Sequence, residues 1–175
     1  MKDKNKKDND SVKRYANIVL YSVQARGLII NDSIYLEKLT DEFIARYFCP
    51  SKAKRTHLFE FILGNERITA MSKKDVLKLI IEANYPDIVV ANKTLFADLT
   101  TIIEERNMFA HQMVDASKEA EKLEANSFHL IRFKNSTRHF LYNETKVISH
   151  LKMIGKYIDV FQNLLIEKRF NPRNK

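Results

Sequence analysis

Three glycines and three prolines in 175 residues leave this chain little with which to reverse direction sharply. An all-β fold spends such residues at nearly every turn between strands. Helix is therefore the default expectation, and each strand has to be argued for separately. The length suits one domain with a real hydrophobic core. A composition 45% hydrophobic and 30% charged is that of a soluble globular protein. A single cysteine, Cys49, excludes an intrachain disulfide and fits a reducing compartment. The first ten residues hold no apolar run of the kind a secretory signal needs. No apolar run approaches the ~20 residues that span a bilayer. A cytoplasmic protein with no membrane partner is the expectation.

Along the chain, residues 1–11 mix Lys, Asp and Asn and read as a disordered tail, leaving 12–170 as a single helical domain. Ser11 is a candidate cap for a helix to about Arg26, with Gly27 and Asn31-Asp32 as punctuation. A second helix over 33–48 ends before Pro50. Ser51 opens a shorter third helix carrying Leu58, Phe59, Phe61, Ile62 and Leu63, and Gly64 stands where a helix C-terminal glycine belongs. Ser72 and Asp75 resemble a capping box for a helix to Asn84, which Tyr85-Pro86 ends. A long amphipathic segment over 93–114 follows. The flanked polar run Lys134–Thr137 predicts a β-hairpin over 127–142. A last helix is expected from Glu144 to about Phe170. The fold class is thus all-α, a bundle of five or six helices with a small β-hairpin before the last one.

The net charge of +8 is unevenly spread. Residues 79–126 carry nine acidic and four basic groups, whereas 127–156 carry six basic and one acidic. A basic hairpin suits a polyanion such as RNA, with Arg132, Lys134 and Arg138 as the candidate contacts. A solvated face that only aids solubility is the bland alternative.

The sharpest local signal lies at Arg106-Asn107-Met108-Phe109-Ala110-His111. At roughly 100° per residue, Leu95, Leu99, Ile102, Ile103, Ala110 and Met113 form one stripe, and Arg106 points from its middle. Arginine is seldom buried without compensation. Asn107 and His111, four apart, share one flank. Arg106-Asn107 followed by His111 resembles the Arg-polar-x3-His signature of the HEPN superfamily. Glu104-Glu105 before the arginine and Ala110 before the histidine fit the same pattern. The resemblance covers residues 12–168, although its distinctive part is six residues long.

The resemblance implies a helical domain that dimerises and brings two copies of the motif into one cleft. It also implies a metal-independent endoribonuclease, of toxin–antitoxin or anti-phage type, with Arg106, Asn107 and His111 as the active residues and no cofactor. A cognate antitoxin or a nucleotidyltransferase would be the protein partner. The residue types suit that chemistry. An imidazole with an ordinary pKa of about 6.5 exchanges protons near neutrality. A guanidinium grips phosphate through paired hydrogen bonds. The alternative is a non-catalytic dimeric module that binds RNA or protein, in which Arg106 pairs with a carboxylate inside the fold. No spacing supports a metal site: His57 and Glu60 stand alone, and His129, His139 and His150 read as the border of a phosphate surface. Phe140 and Tyr142 read as hairpin packing.

Overall fold

A computed structural model describes residues 2–65, 67–115, 117, 120–134 and 136–167, with side chains from Val12 onward except at Glu121. Among these residues are six α-helices: α1 Lys2–Phe48, α2 Lys52–Leu58, α3 Ala70–Asn84, α4 Pro86–Ala91, α5 Leu95–His111 and α6 Glu144–Ile166. Three antiparallel strands, β1 Met113–Val114, β2 Ser127–Lys134 and β3 Ser136–Asn143, form one sheet in the order β1-β2-β3. The expected class holds, with helices throughout and a β-hairpin directly before the last one. No helix among the described residues is long and apolar enough to cross a membrane.

The two helices expected on either side of Gly27 are one. α1 starts at Lys2, within the stretch read as a disordered tail, and runs to Phe48 without a break. The apolar pattern alone hides its continuity. The buried stripe runs Ile18, Ser22, Ala25, Ile29, Ser33, Leu36, Thr40 and Phe43, spaced by threes and fours throughout. Three of these letters are hydroxyls. Ser22 and Thr40 donate to the carbonyls of Val19 and Glu37 at 2.7 and 2.8 Å, so each enters an apolar face without an orphaned donor. Gly27 costs such a helix only about 1 kcal/mol relative to alanine, too little to end it.

Other boundaries moved for local reasons. Ser51 precedes α2, but its side chain makes no capping bond. The helical path then widens into a π-turn over Phe59–Leu63, closed by Gly64 N–H donating to Phe59 O at 2.7 Å. Gly64 has φ −80°, so left-handed freedom is not its role. A Cβ there would lie 2.8 Å from the Phe59 carbonyl oxygen, and this close approach is what requires glycine. α3 is capped by Thr69, not Ser72. Thr69 Oγ1 accepts from Ser72 N–H at 3.1 Å, and the two hydroxyls meet at 3.0 Å. Pro86, expected only as a terminator, also begins α4 at a position where its missing N–H costs nothing. α6 ends at Ile166, and residues 168–170 of its expected extension lie outside the described residues.

The chain divides into two compact units: Met1–Asn31 with Glu105–Leu151, and Asp32–Glu104 with Lys152–Lys175. In the first, Phe128, Phe109 and Tyr142 are almost fully buried and meet as an aromatic cluster. Phe109 meets Tyr142 edge-on at 4.7 Å, and Phe128 stacks on Tyr142 at 5.7 Å. Such pairs add about 1 kcal/mol each beyond their burial. Tyr142 thus packs as expected for the hairpin.

In the second unit, Phe43 meets Phe161 and Tyr85 edge-on, each at 5.8 Å, among Leu77, Ile80, Ile81, Leu95 and Leu99. Arg46 donates to the Leu165 carbonyl at 3.0 Å, near the C-terminus of α6, where a cation is favoured. Lys73 is buried between two carboxylates, with Nζ 2.8 Å from Glu37 Oε1 and 2.8 Å from Asp41 Oδ2.

Candidate functional site

α5 delivers the motif. Its apolar stripe is Leu95, Leu99, Ile102 and Phe109. Phe109, not Ala110, takes the interior position at the end of the helix because its ring completes the aromatic cluster. This rotates the face. Ala110 is exposed, and Met113 is not on the helix at all but in β1, 64% exposed. Arg106 therefore lies at the margin of the stripe, half-buried, rather than in its middle. Its Nη1 donates to Asn107 Oδ1 at 3.0 Å. Asn107 and His111 are both exposed on the last two turns, four residues apart as the periodicity requires.

Neighbouring residues fix that helix end. Tyr142 OH donates to Glu105 Oε2 at 2.6 Å, tying the residue before Arg106 to β3. Burial and the Glu105 carboxylate hold the Tyr142 phenol well above its ordinary range, so it stays a donor. Lys146 Nζ lies 4.0 Å over the same ring. Beyond His111, the Arg26 guanidinium donates to the Gln112 carbonyl, occupying one of the acceptors that a helix C-terminus leaves open. Spacing along the chain does not mark Tyr142 or Arg26 as positioning groups, because both come from distant segments. Only the glutamate before the arginine gave a sequence signal.

The hairpin's two faces follow from its register. Phe128 pairs with Tyr142, Leu130 with Phe140, Arg132 with Arg138 and Lys134 with Ser136. One face therefore begins in the core and ends in three exposed cations, two of them directly opposed. Like charges in direct opposition are unfavourable across strands. The turn residue Asn135 lies outside the described residues.

The other face carries His129, Ile131, Phe133, His139 and Leu141, with Met113 of β1 opposite Ile131. His129 and His139 do not border the cationic tip; they converge on Asp115, just after β1. Asp115 Oδ2 is 3.1 Å from His139 Nδ1 and 3.8 Å from His129 Nδ1. Burial raises the Asp115 pKa, but hydrogen bonds from Ser117 and the His139 ring outweigh it and leave the carboxyl below its ordinary range. His150 is elsewhere, buried in α6. Burial lowers its pKa and Lys146 adds to that effect against the pull of Glu105, so it is a neutral core histidine rather than part of a phosphate surface.

In the second unit, an open groove of about 510 Å³ is lined by Ile34, Glu37, Asp41, Phe59, Leu63 and Lys73. Three of its charged residues, Glu37, Asp41 and Lys73, form the trio described above. No protein-family model, no curated protein and no solved structure matches this chain.

Proposed function

We propose that this chain is a metal-independent endoribonuclease of HEPN type, acting as a homodimer on single-stranded RNA in a toxin–antitoxin or anti-phage setting. The observation that carries this reading is the exposed end of α5, where Arg106, Asn107 and His111 share two turns held in place by Glu105 and Tyr142. The opposed pair Arg132 and Arg138, with Lys134, supports an RNA partner. Folding these cations onto one exposed tip costs stability, and a phosphate backbone would offset that cost.

In this reading, His111 takes the proton from the ribose 2′-hydroxyl or returns one to the leaving 5′-oxygen. Arg106 stabilises the charge that builds on the phosphoryl oxygens. Asn107 holds the guanidinium in its working orientation through the bond it already accepts. The products are a 2′,3′-cyclic phosphate and a 5′-hydroxyl. One protomer supplies one motif, and the cleft is completed by the second copy.

The test is cleavage of single-stranded RNA in EDTA by the native chain and by Arg106→Ala and His111→Ala, with a melting curve for each. Each substitution is expected to lower the rate at least ~100-fold with little change in melting. A chain that binds RNA without cleaving it is instead the non-catalytic module.

A further inference from the structure

We propose that Asp115, His129 and His139 form a binding site for a divalent first-row transition ion, of which Zn2+ is the probe. One ligand atom from each residue lies within 4.8 Å of the other two. The three come from adjacent chain segments on a single sheet face. Asp115 N–H donates to the His129 carbonyl at 2.9 Å, continuing the β1–β2 ladder by one residue. His129 pairs with Leu141 and His139 pairs with Ile131, so the two imidazoles are diagonal neighbours on the hairpin. Their ring centroids are 5.8 Å apart at 83°.

The carboxylate is built into the fold rather than scattered on a surface. Asp115 is 3% exposed, and its Oδ1 accepts from Ser117 N–H at 2.9 Å, which leaves Oδ2 facing the two rings. One imidazole is then satisfied and the other is not. His139 Nδ1 is within hydrogen-bond reach of Oδ2, whereas His129 Nδ1 is buried and makes no hydrogen bond among the described residues. A buried polar nitrogen without a partner is uncommon in folded proteins. An ion at the centre would bind both nitrogens and the carboxylate oxygen together.

The donor set defines the ion. Two imidazoles and one carboxylate suit Zn2+, Fe2+ or Co2+, not Mg2+ or Ca2+, which prefer all-oxygen cages. Three protein ligands leave a tetrahedral ion one position for water or a substrate oxygen. The site lies on the face opposite the Arg132–Arg138 pair and takes no part in the chemistry assigned to His111, so the two proposals stand or fall separately.

The experiment is calorimetric titration of Zn2+ into the untagged full chain after EDTA and dialysis, with Co2+ absorption as the spectroscopic readout. One Zn2+ per chain should bind, and Co2+ should develop visible bands of a four-coordinate nitrogen–oxygen site. His139→Ala removes a half-exposed side chain and should fold, as circular dichroism will verify. It should weaken Zn2+ binding by more than the ~10–100-fold typical of losing a group that merely orients a ligand. His129→Gln should do the same and abolish the Co2+ bands. The proposal is overturned if the folded native chain shows no saturable Zn2+ binding, if both variants bind as tightly as the native chain, or if Mg2+ binds as tightly as Zn2+.

Discussion

The two units treat their buried charges differently. In the second, Lys73 sits between Glu37 and Asp41 with both oxygens at 2.8 Å, and the ammonium bridges the two carboxylates. In the first, Asp115 satisfies one imidazole and leaves a second buried nitrogen 3.8 Å away, while Arg106, Asn107 and His111 gather at a helix end. A cation held between two carboxylates of another helix is what a scaffold needs. A buried imidazole nitrogen 3.8 Å from a carboxylate has spare hydrogen-bonding capacity, which is what a site for a cation needs. On this comparison we read the Lys73 trio as structural, and the proposed chemistry is placed at α5 and the sheet.

The largest effect is expected from removing the cation of the trio. Lys73→Met leaves two carboxylates facing each other, one of them buried, and should cost about 3 kcal/mol in a urea unfolding experiment. A loss under about 0.5 kcal/mol would show that the trio does not hold the unit together.

A smaller effect sharpens the same point through pH. Burial pushes Asp41 up to about 6, Lys73 opposes this, and Glu37 adds to the rise. Lys73 itself is stripped of water by burial, but its bonds to Asp41 and Glu37 outweigh that and raise its pKa, so it stays cationic. One ammonium between two carboxylates leaves one negative charge in excess, and a proton on Asp41 settles it. A folded-state pKa above the unfolded value of 3.8 contributes stability that is fully present below about pH 4. That stability is lost as pH rises through 6. Native stability minus that of Asp41→Asn should therefore fall by about 2 kcal/mol between pH 4 and pH 7. A difference that is flat across this window would contradict the assignment.

The smallest effect on stability is expected at the hairpin tip. Arg132→Ala or Arg138→Ala relieves an opposed pair and should leave unfolding unchanged or raise stability by a few tenths of a kcal/mol, roughly. RNA affinity should fall all the same, and the slope of log affinity against log salt should shrink by about 1 for each cation removed. An unchanged salt slope would remove these arginines from the RNA surface.

Much of this was legible in the residue order. Few glycines and prolines pointed to helix, and the polar run Lys134–Thr137 marked the hairpin. What stayed hidden has physical causes. Ser22, Ser33 and Thr40 belong to α1's buried stripe, yet as polar letters they disguise its continuity across Gly27. β1 has two residues, too few for alternation to register. The π-turn depends on the close approach at Gly64, which no periodicity encodes. At the motif, Asn107 and His111 share the exposed flank that helical spacing predicted, whereas Arg106 is marginal because the bulk of Phe109 claimed the interior. Asp115 carried no local signal. Its meeting with His129 and His139 comes from strand register, which brings together residues up to 24 apart in sequence.

The proposed chemistry at the end of α5 has a direct test. The measurement is the identity of the RNA termini after incubation with the untagged chain in EDTA, for the native protein beside His111→Ala. Fragments ending in 2′,3′-cyclic phosphate and 5′-hydroxyl are expected from the native chain, and at least ~100-fold fewer from the variant. Equal yields of those fragments from both proteins, or none from a folded native chain that binds the RNA, would contradict that chemistry.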